Sequence, residues 1–327
     1  MAHLIENMAF VGEKPWHGLG NELAPKQPIE VWARQAGMDW SIGETAVCYR
    51  PVGVDADPAT LTFEDQKVLY RSDTGAALSV VGTRYRVVQP RAVLEFYRDL
   101  TEVFGYELET AGMLKGGRKL WALARTGQDA MLKNQDAVCS YLLLATSCDG
   151  TLATMAMPTT VRVVCNNTLS IAIKGASNAV KVPHSTTFDP VAVKKQLGIA
   201  TSQWAAFLYR IQSMANRKVK AAEVTSYFEG VLDLPAGSGS GGGGGEATAP
   251  AQGRALRRML ELFDGQGRGA ELSTAKETTW GLLNAVTEFV DHERRAISRE
   301  HRLDSAWFGQ GATVKQRAFD LALDMLL

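Results

Sequence analysis

Apolar residues recur along this chain in two periods, and the periods change places near residue 188. Up to that point alternation dominates. Val47–Val52 and Gln66–Ser72 read as strands, "SDTG" at 72–75 as a turn, and "AALSVVGTRYRVVQ" as a long bent strand or strand pair. "ELETAGMLKGGRKLWALARTG" gives two alternating runs around Lys115-Gly116-Gly117-Arg118, the pattern of a hairpin. "AVCSYLLLATSCDGTLATMAMPTTVRVVC" gives another, turning at Cys148-Asp149-Gly150, where Asp-Gly supplies the positive φ of a tight turn. Between them "PRAVLEFYRDLTEVFGY" places apolar residues at 93, 94, 97, 100 and 104, a helical spacing opened by proline.

After residue 188 the period is helical. Asp189-Pro190 opens a run with apolar positions 193, 197, 200, 204, 207, 208, 211 and 214, and a second helix is expected from Ala222 to Leu232. "PAGSGSGGGGGEATAPAQG", 235–253, holds neither helix nor strand and reads as a flexible tether. Beyond it Thr274–Glu277 has the form of a capping box before the stripe Trp280, Leu283, Val286, Phe289 and Val290, and a last amphipathic helix ends the chain. The expected architecture is α+β. Antiparallel β-hairpin sheets crossed by helices, at about 90–105 and 189–234, make a body over 1–234, and a helical C-terminal segment over 254–327 follows the tether.

Composition alters this picture little. The 327 residues are 46% hydrophobic and 21% charged, enough for a full core. No apolar run is long enough to span a membrane, and Met1–Asn7 lacks the basic and apolar segments of a signal peptide, so a cytoplasmic protein is expected. Cys48, Cys139, Cys148 and Cys165 form no CxxC pair and read as buried free thiols.

Charge changes the picture more. The chain is neutral overall, yet residues 161–220 hold nine Lys/Arg against one acid, Asp189. Such a block suits an anionic partner, or else a solvated face neutralised by acidic neighbours in the fold. Elsewhere "GTRYRVVQ" puts Arg84 and Arg86 on one strand face and Tyr85 on the other, while "LKGGRKLW" gathers Lys115, Arg118 and Lys119 at a hairpin tip with Trp121 just inside. In "TTVRVVCNNTLSIAIKG", strand parity turns Arg162 outward and Cys165 inward. Asn166 and Asn167 then fix a bend, or reach an anion or base edge, before Lys174. These cations fit a phosphate backbone, and Tyr85 and Trp121 fit base stacking.

Catalytic signatures fail one by one. His292-Glu293 opens like a zinc-protease motif, but position 296 is Ala; "GQGRGA" lacks the spacing of a dinucleotide loop, and no Walker or GxSxG motif occurs. Cys165 and His184 could be imagined as a nucleophile pair, but the plainer reading is a strand thiol.

Several long motifs, in order, resemble those of the phage/plasmid-related proteins grouped as domain of unknown function 932. They are "MAHLIENMAFVGEKPWHGLG", "VVGTRYRVVQ", "ETAGMLKGGRKLWALA", "TTVRVVCNNTL", "TTWGLLNAVTEFVDHERR" and "DSAWFG". The likeness covers nearly the whole chain except the Gly-rich tether. It carries over no catalytic residue. It implies a mobile-element setting, in which single-strand annealing proteins built from hairpins and a crossing helix are common. The leading expectation is therefore a single-stranded DNA-binding protein, a homo-oligomer that anneals strands and needs no cofactor. Two alternatives stand beside it. One is an enzyme on nucleotides or nucleic acid, with Trp16-His17, Asn166-Asn167 and Asp291-His292-Glu293 meeting in one cleft. The other is a scaffold that binds a host protein through its helical tail.

Overall fold

A computed structural model describes residues 8–12, 20–51, 60–164, 167–170, 172–173, 176–177, 179–197, 201–233 and 250–327. Trp16, His17, Cys165, Asn166, Lys174 and most of the expected tether lie outside the described residues.

In chain order the elements begin with β1 (Met8–Val11), β2 (Asn21–Leu23), α1 (Ile29–Gln35), β3 (Ile42–Tyr49), β4 (Leu61–Arg71) and β5 (Ala77–Gly82). Next come α2 (Pro90–Glu95), α3 (Arg98–Glu102), β6 (Glu107–Leu114), β7 (Lys119–Leu132), β8 (Asp136–Ser147) and β9 (Thr154–Arg162). Short strands follow: β10 (Asn167–Ser170), β11 (Ala172–Ile173), β12 (Ala176–Ser177) and β13 (Val180–Val182). The rest is helical: α4 (Pro190–Leu197), α5 (Thr201–Asn216), α6 (Ala221–Leu232), α7 (Pro250–Glu261), α8 (Thr279–Glu288), α9 (Arg299–Phe308) and α10 (Gln310–Asp324). The class is α+β, as the change of period foretold.

The chain forms two compact units and crosses between them within β7, β8 and β9, again just before β13, and at the end of α4. The first unit comprises Met1–Thr126, Leu142–Ala156 and Ala179–Gln196. Its strand order is β2-β1-β6-β7-β8-β9, with β13 antiparallel to β9, and a separate sheet runs β3-β4-β5. The helix expected over 90–105 breaks at Phe96–Tyr97. There the buried Tyr97 phenol lies 2.9 Å from the carbonyls of both Ala122 and Leu142, anchoring the helical segment to β7 and β8. The strand expected over 76–89 ends at Gly82, because Tyr85 N–H closes a turn on Gly82 O and Arg86 N–H bonds His184 O. Arg84–Arg86 are therefore loop residues, and alternation does not set their faces. Cys48 is exposed, against the expectation of a buried thiol, while Cys139 and Cys148 are buried.

The second unit comprises Gly127–Tyr141, Met157–Asn178 and Leu197–Leu327. Its core joins Phe207, Phe228, Met259, Leu282, Val286 and Phe319 with Leu132, Val138 and Leu169 from the strands. Fully burying each such side chain contributes about 1.5–3 kcal/mol. The helices of 254–327 thus share one core with α5 and α6. Helix starts follow local chemistry. The Asp189 carboxylate accepts from Val191 N–H at 2.9 Å, and Pro190 takes the first helical position of α4. α8 starts later than expected, because Thr278 is its cap, accepting from Gly281 N–H at 3.1 Å. Thr274, the expected cap, gives its hydroxyl to Asp136 instead, at 2.8 Å.

Candidate functional site

Three stretches of the first unit converge on the turn that joins β8 to β9. The β6–β7 hairpin closes through a single 3-10 turn, Lys115–Gly117, in which Gly117 has φ 100. A β-carbon there would lie 2.7 Å from the Trp40 ring, so only glycine fits. The tip bonds the neighbouring turn: Cys148 N–H donates to Arg118 O at 2.8 Å, and the Cys148 thiol to Gly117 O at 3.7 Å. The 83–89 loop arrives at the same turn. Tyr85 donates its phenol to Ser147 O at 2.9 Å, and the Ser79 hydroxyl donates to Cys148 O. His184 stacks on Tyr85 with ring centroids 4.3 Å apart, its ring nitrogens each 3.0 Å from a carbonyl, Arg86 O and Leu152 O.

The result is a cationic end to the hairpins. Arg84, Arg86 and Arg118 are exposed and Lys115 is half-buried. The nearby Asp149 carboxylate accepts from Thr151, at 3.1 Å from its N–H and 2.6 Å from its hydroxyl. Burial pushes both the Tyr85 phenol and the Cys148 thiol up to about 12, so both are neutral near pH 7. Such a thiol is a structural group and not a nucleophile.

Other expected contacts are not at this surface. Lys119 is 5% exposed and Trp121 1%, because the first six residues of β7 are covered on both faces. Trp121 cannot stack on a base from there. Arg162 also overturns its expected role. It is 3% exposed, and its guanidinium donates from Nε to Asp136 Oδ1 at 2.8 Å and from Nη2 to Oδ2 at 2.8 Å. Asp136, wholly buried, further accepts from Thr274 at 2.8 Å and from Trp280 Nε1 at 3.1 Å. Parity failed because β9 is covered on both faces here: the 268–280 segment lies over Arg162, which donates to Gly269 O at 3.2 Å. Val163 and Val164, expected on opposite faces, are both 42% exposed past the end of β9. Asn167 begins β10, its backbone opposite Arg162 in the antiparallel register.

Asp291-His292-Glu293 lies in a π-helical turn, Phe289–Glu293, and its side chains take separate partners. Asp291, buried, pairs with Lys315 at 2.8 Å. Glu293 accepts from Arg258 Nη2 at 2.7 Å, and His292 lies 3.0 Å from Arg268 Nη1. The other stretches expected in one cleft with this trio, Trp16-His17 and Asn166, lie outside the described residues. Beside it Glu288 accepts from Arg268 N–H at 3.0 Å, and burial raises its carboxyl above the usual range. Neither Asp136 nor Glu288 was singled out from the sequence; each is an acid within or beside an apolar run, and only distant partners explain it. The first unit also has a cleft of about 560 Å³, floored by Trp32 and Ile29 and edged by Arg98, which is paired with Glu30 at 2.7 Å and Glu95 at 2.6 Å. Among the described residues, no cluster of His, Cys, Asp and Glu has the makings of a metal site, and no helix is long and apolar enough to cross a membrane.

Residues 77–307 match a family model described as Domain of unknown function (DUF932). No curated protein and no solved structure matches the chain.

Proposed function

The chain belongs to the DUF932 family, whose description supplies no activity, and from the geometry we propose that this protein binds single-stranded DNA at the cationic hairpin end of its first unit. One observation carries the reading: the 115–118 tip and the 84–86 loop, far apart in sequence, are bonded to the same 147–152 turn. This brings the segments that carry Arg84, Arg86, Lys115 and Arg118 to one turn, beside the half-buried Tyr85. Cations along a path grip successive phosphates whatever the sequence, and aromatic edges favour unpaired bases. Strand annealing on a mobile element is the activity such a grip would serve, since it needs only bound, extended strands and no cofactor.

Fluorescence anisotropy with a labelled single-stranded oligonucleotide, across a salt series, tests it. Each phosphate contact contributes roughly 0.7 to the slope of log affinity against log salt for single strands. Arg84→Ala/Arg86→Ala/Arg118→Ala is expected to weaken binding to all sequences alike and to flatten that slope by about two. A parent that does not bind at low salt, or a triple variant with the parent's affinity and slope, sinks the proposal.

A further inference from the structure

The outer edge of β3 is unusual for an edge strand. β3 is terminal in the β3-β4-β5 sheet and, among the described residues, has no strand on its other side. Exposed edges of this length are templates for pairing and are ordinarily blunted by proline, lysine or a bulge. β3, "IGETAVCY", has no proline and no lysine. The register shift in the hairpin falls between Ala46 and Val47, whose partners are Lys67 and Phe63; the extra residues belong to β4, so β3 itself runs evenly.

Three observations define what this edge can accept. The first is a plug at one end. Ile42 N–H donates to Gln89 Oε1 at 2.8 Å, and Gln89 Nε2 donates to Ile42 O at 3.1 Å, so the side chain of Gln89 occupies the outward backbone groups of Ile42. The second is parity. Backbone groups of an antiparallel strand point alternately to its two neighbours, so with Ile42 facing outward the groups of Glu44, Ala46 and Cys48 face outward too. The third is charge. From 42 to 50 the only ionised side chains are Glu44 and Arg50, and both are exposed.

The geometry points to antiparallel pairing of β3 with β3 of a second copy of this chain, about a two-fold axis through Val47. That register is the one that sets Glu44 opposite Arg50, at both ends of the new ladder. Ala46 then faces Cys48 in outward-facing, hydrogen-bonded pairs, and Val47 faces its own copy in a non-hydrogen-bonded pair. The ladder uses the edge from Glu44 to Arg50 and stops where Gln89 begins, with about eight inter-chain bonds. A two-fold edge is self-complementary, so it closes as a dimer and leaves no open end.

The broad face of the same sheet agrees with this. Val47 stands opposite Phe63 and Tyr49 opposite Leu61, on one face of the hairpin. Tyr49, Leu61 and Phe63 are each over 40% exposed, in the stretch of the hairpin that β5, paired to Gln66–Tyr70, does not reach, and a two-stranded ribbon left bare on both faces is marginal in water. Joining two edges about Val47 brings both apolar stripes side by side into one surface. Glu44 already bonds Lys67 through Oε2, at 2.8 Å, which leaves Oε1 for the incoming guanidinium.

Sedimentation equilibrium on the full chain, with three charge variants, tests the pairing. The parent is expected to dimerise. Glu44→Arg and Arg50→Glu each put like charges opposite one another at both ends, and each is expected to weaken the dimer by about tenfold or more. Glu44→Arg/Arg50→Glu restores the opposite pairs and is expected to return affinity to within a few-fold of the parent. Val47→Cys in a Cys48→Ser background is expected to form an inter-chain disulfide on mild oxidation, since directly opposed residues fall within disulfide reach. A chain that stays monomeric, a dimer indifferent to the single reversals, or a double reversal no better than the singles overturns the pairing. A Cys48–Cys48 bridge in the oxidised parent, with no bridge in the Val47→Cys/Cys48→Ser variant, overturns the register.

Discussion

Replacing Arg162 with alanine separates structural from ligand-binding roles for the residue that the sequence placed best for DNA. The change removes one partner of a pair in which Arg162 is 3% exposed and Asp136 not at all. An exposed ion pair would be worth at most about 1 kcal/mol, whereas breaking a buried one by removing a single partner costs about 3–5 kcal/mol. The difference is the fate of the carboxylate. Without Arg162, Asp136 keeps, among the described residues, two neutral side-chain donors, Thr274 Oγ1 at 2.8 Å and Trp280 Nε1 at 3.1 Å, for a charge already out of water. The larger range therefore applies. Urea unfolding followed by tryptophan fluorescence reads the loss directly, and anisotropy at one fixed salt concentration reads DNA affinity, which is expected to be unchanged. Asp136→Asn/Arg162→Met, which leaves no buried charge, is expected to recover most of the stability. The reasoning fails if Arg162→Ala costs less than about 1 kcal/mol, or if it weakens DNA binding while stability holds.

Two further predictions follow from burial. Because burial raises the Glu288 carboxyl in the folded state, its stabilising contribution is complete below the ordinary value of 4.5 and is lost as pH rises through the raised one. Glu288→Gln keeps an oxygen for Arg268 N–H and is expected to flatten that decline in urea stability measured from pH 4 to 8; an unchanged profile would contradict it. Iodoacetamide is expected to label Cys48 in the native protein and to reach Cys139 and Cys148 only in denaturant, by peptide mass mapping. Cys148 modified at the rate of Cys48 would contradict both its burial and its displacement to about 12.

What could be read from the chain divides by the distance over which the deciding contact acts. The β6–β7 and β8–β9 hairpins, with Gly150 at φ 74 in the second turn, were legible because their signals are local. So was the start of α4, where Asp189 caps the helix two residues away. Thr274 misled because its hydroxyl serves Asp136, 138 residues distant, and leaves the cap to Thr278. Arg162 misled for the same reason: alternation tells which residues share a face, but a segment more than a hundred residues later covers that face. At the hairpin end, composition revealed the cations at 84, 86, 115 and 118, but only tertiary hydrogen bonds show that the segments carrying them reach one turn.

The bonds to Asp136 also have an order in time. A ribosome delivers the chain from its N-terminus at about 5–20 residues per second. Arg162 follows Asp136 by 26 residues, so the two partners of the ion pair are made within seconds of one another. Trp280 follows by 144 residues, on the order of ten seconds later. Through that interval both side chains lack cover from the 268–280 segment and stay open to water. Both charges are thus made well before the segment that buries them, and the desolvation cost falls due only when the helices that repay it have emerged.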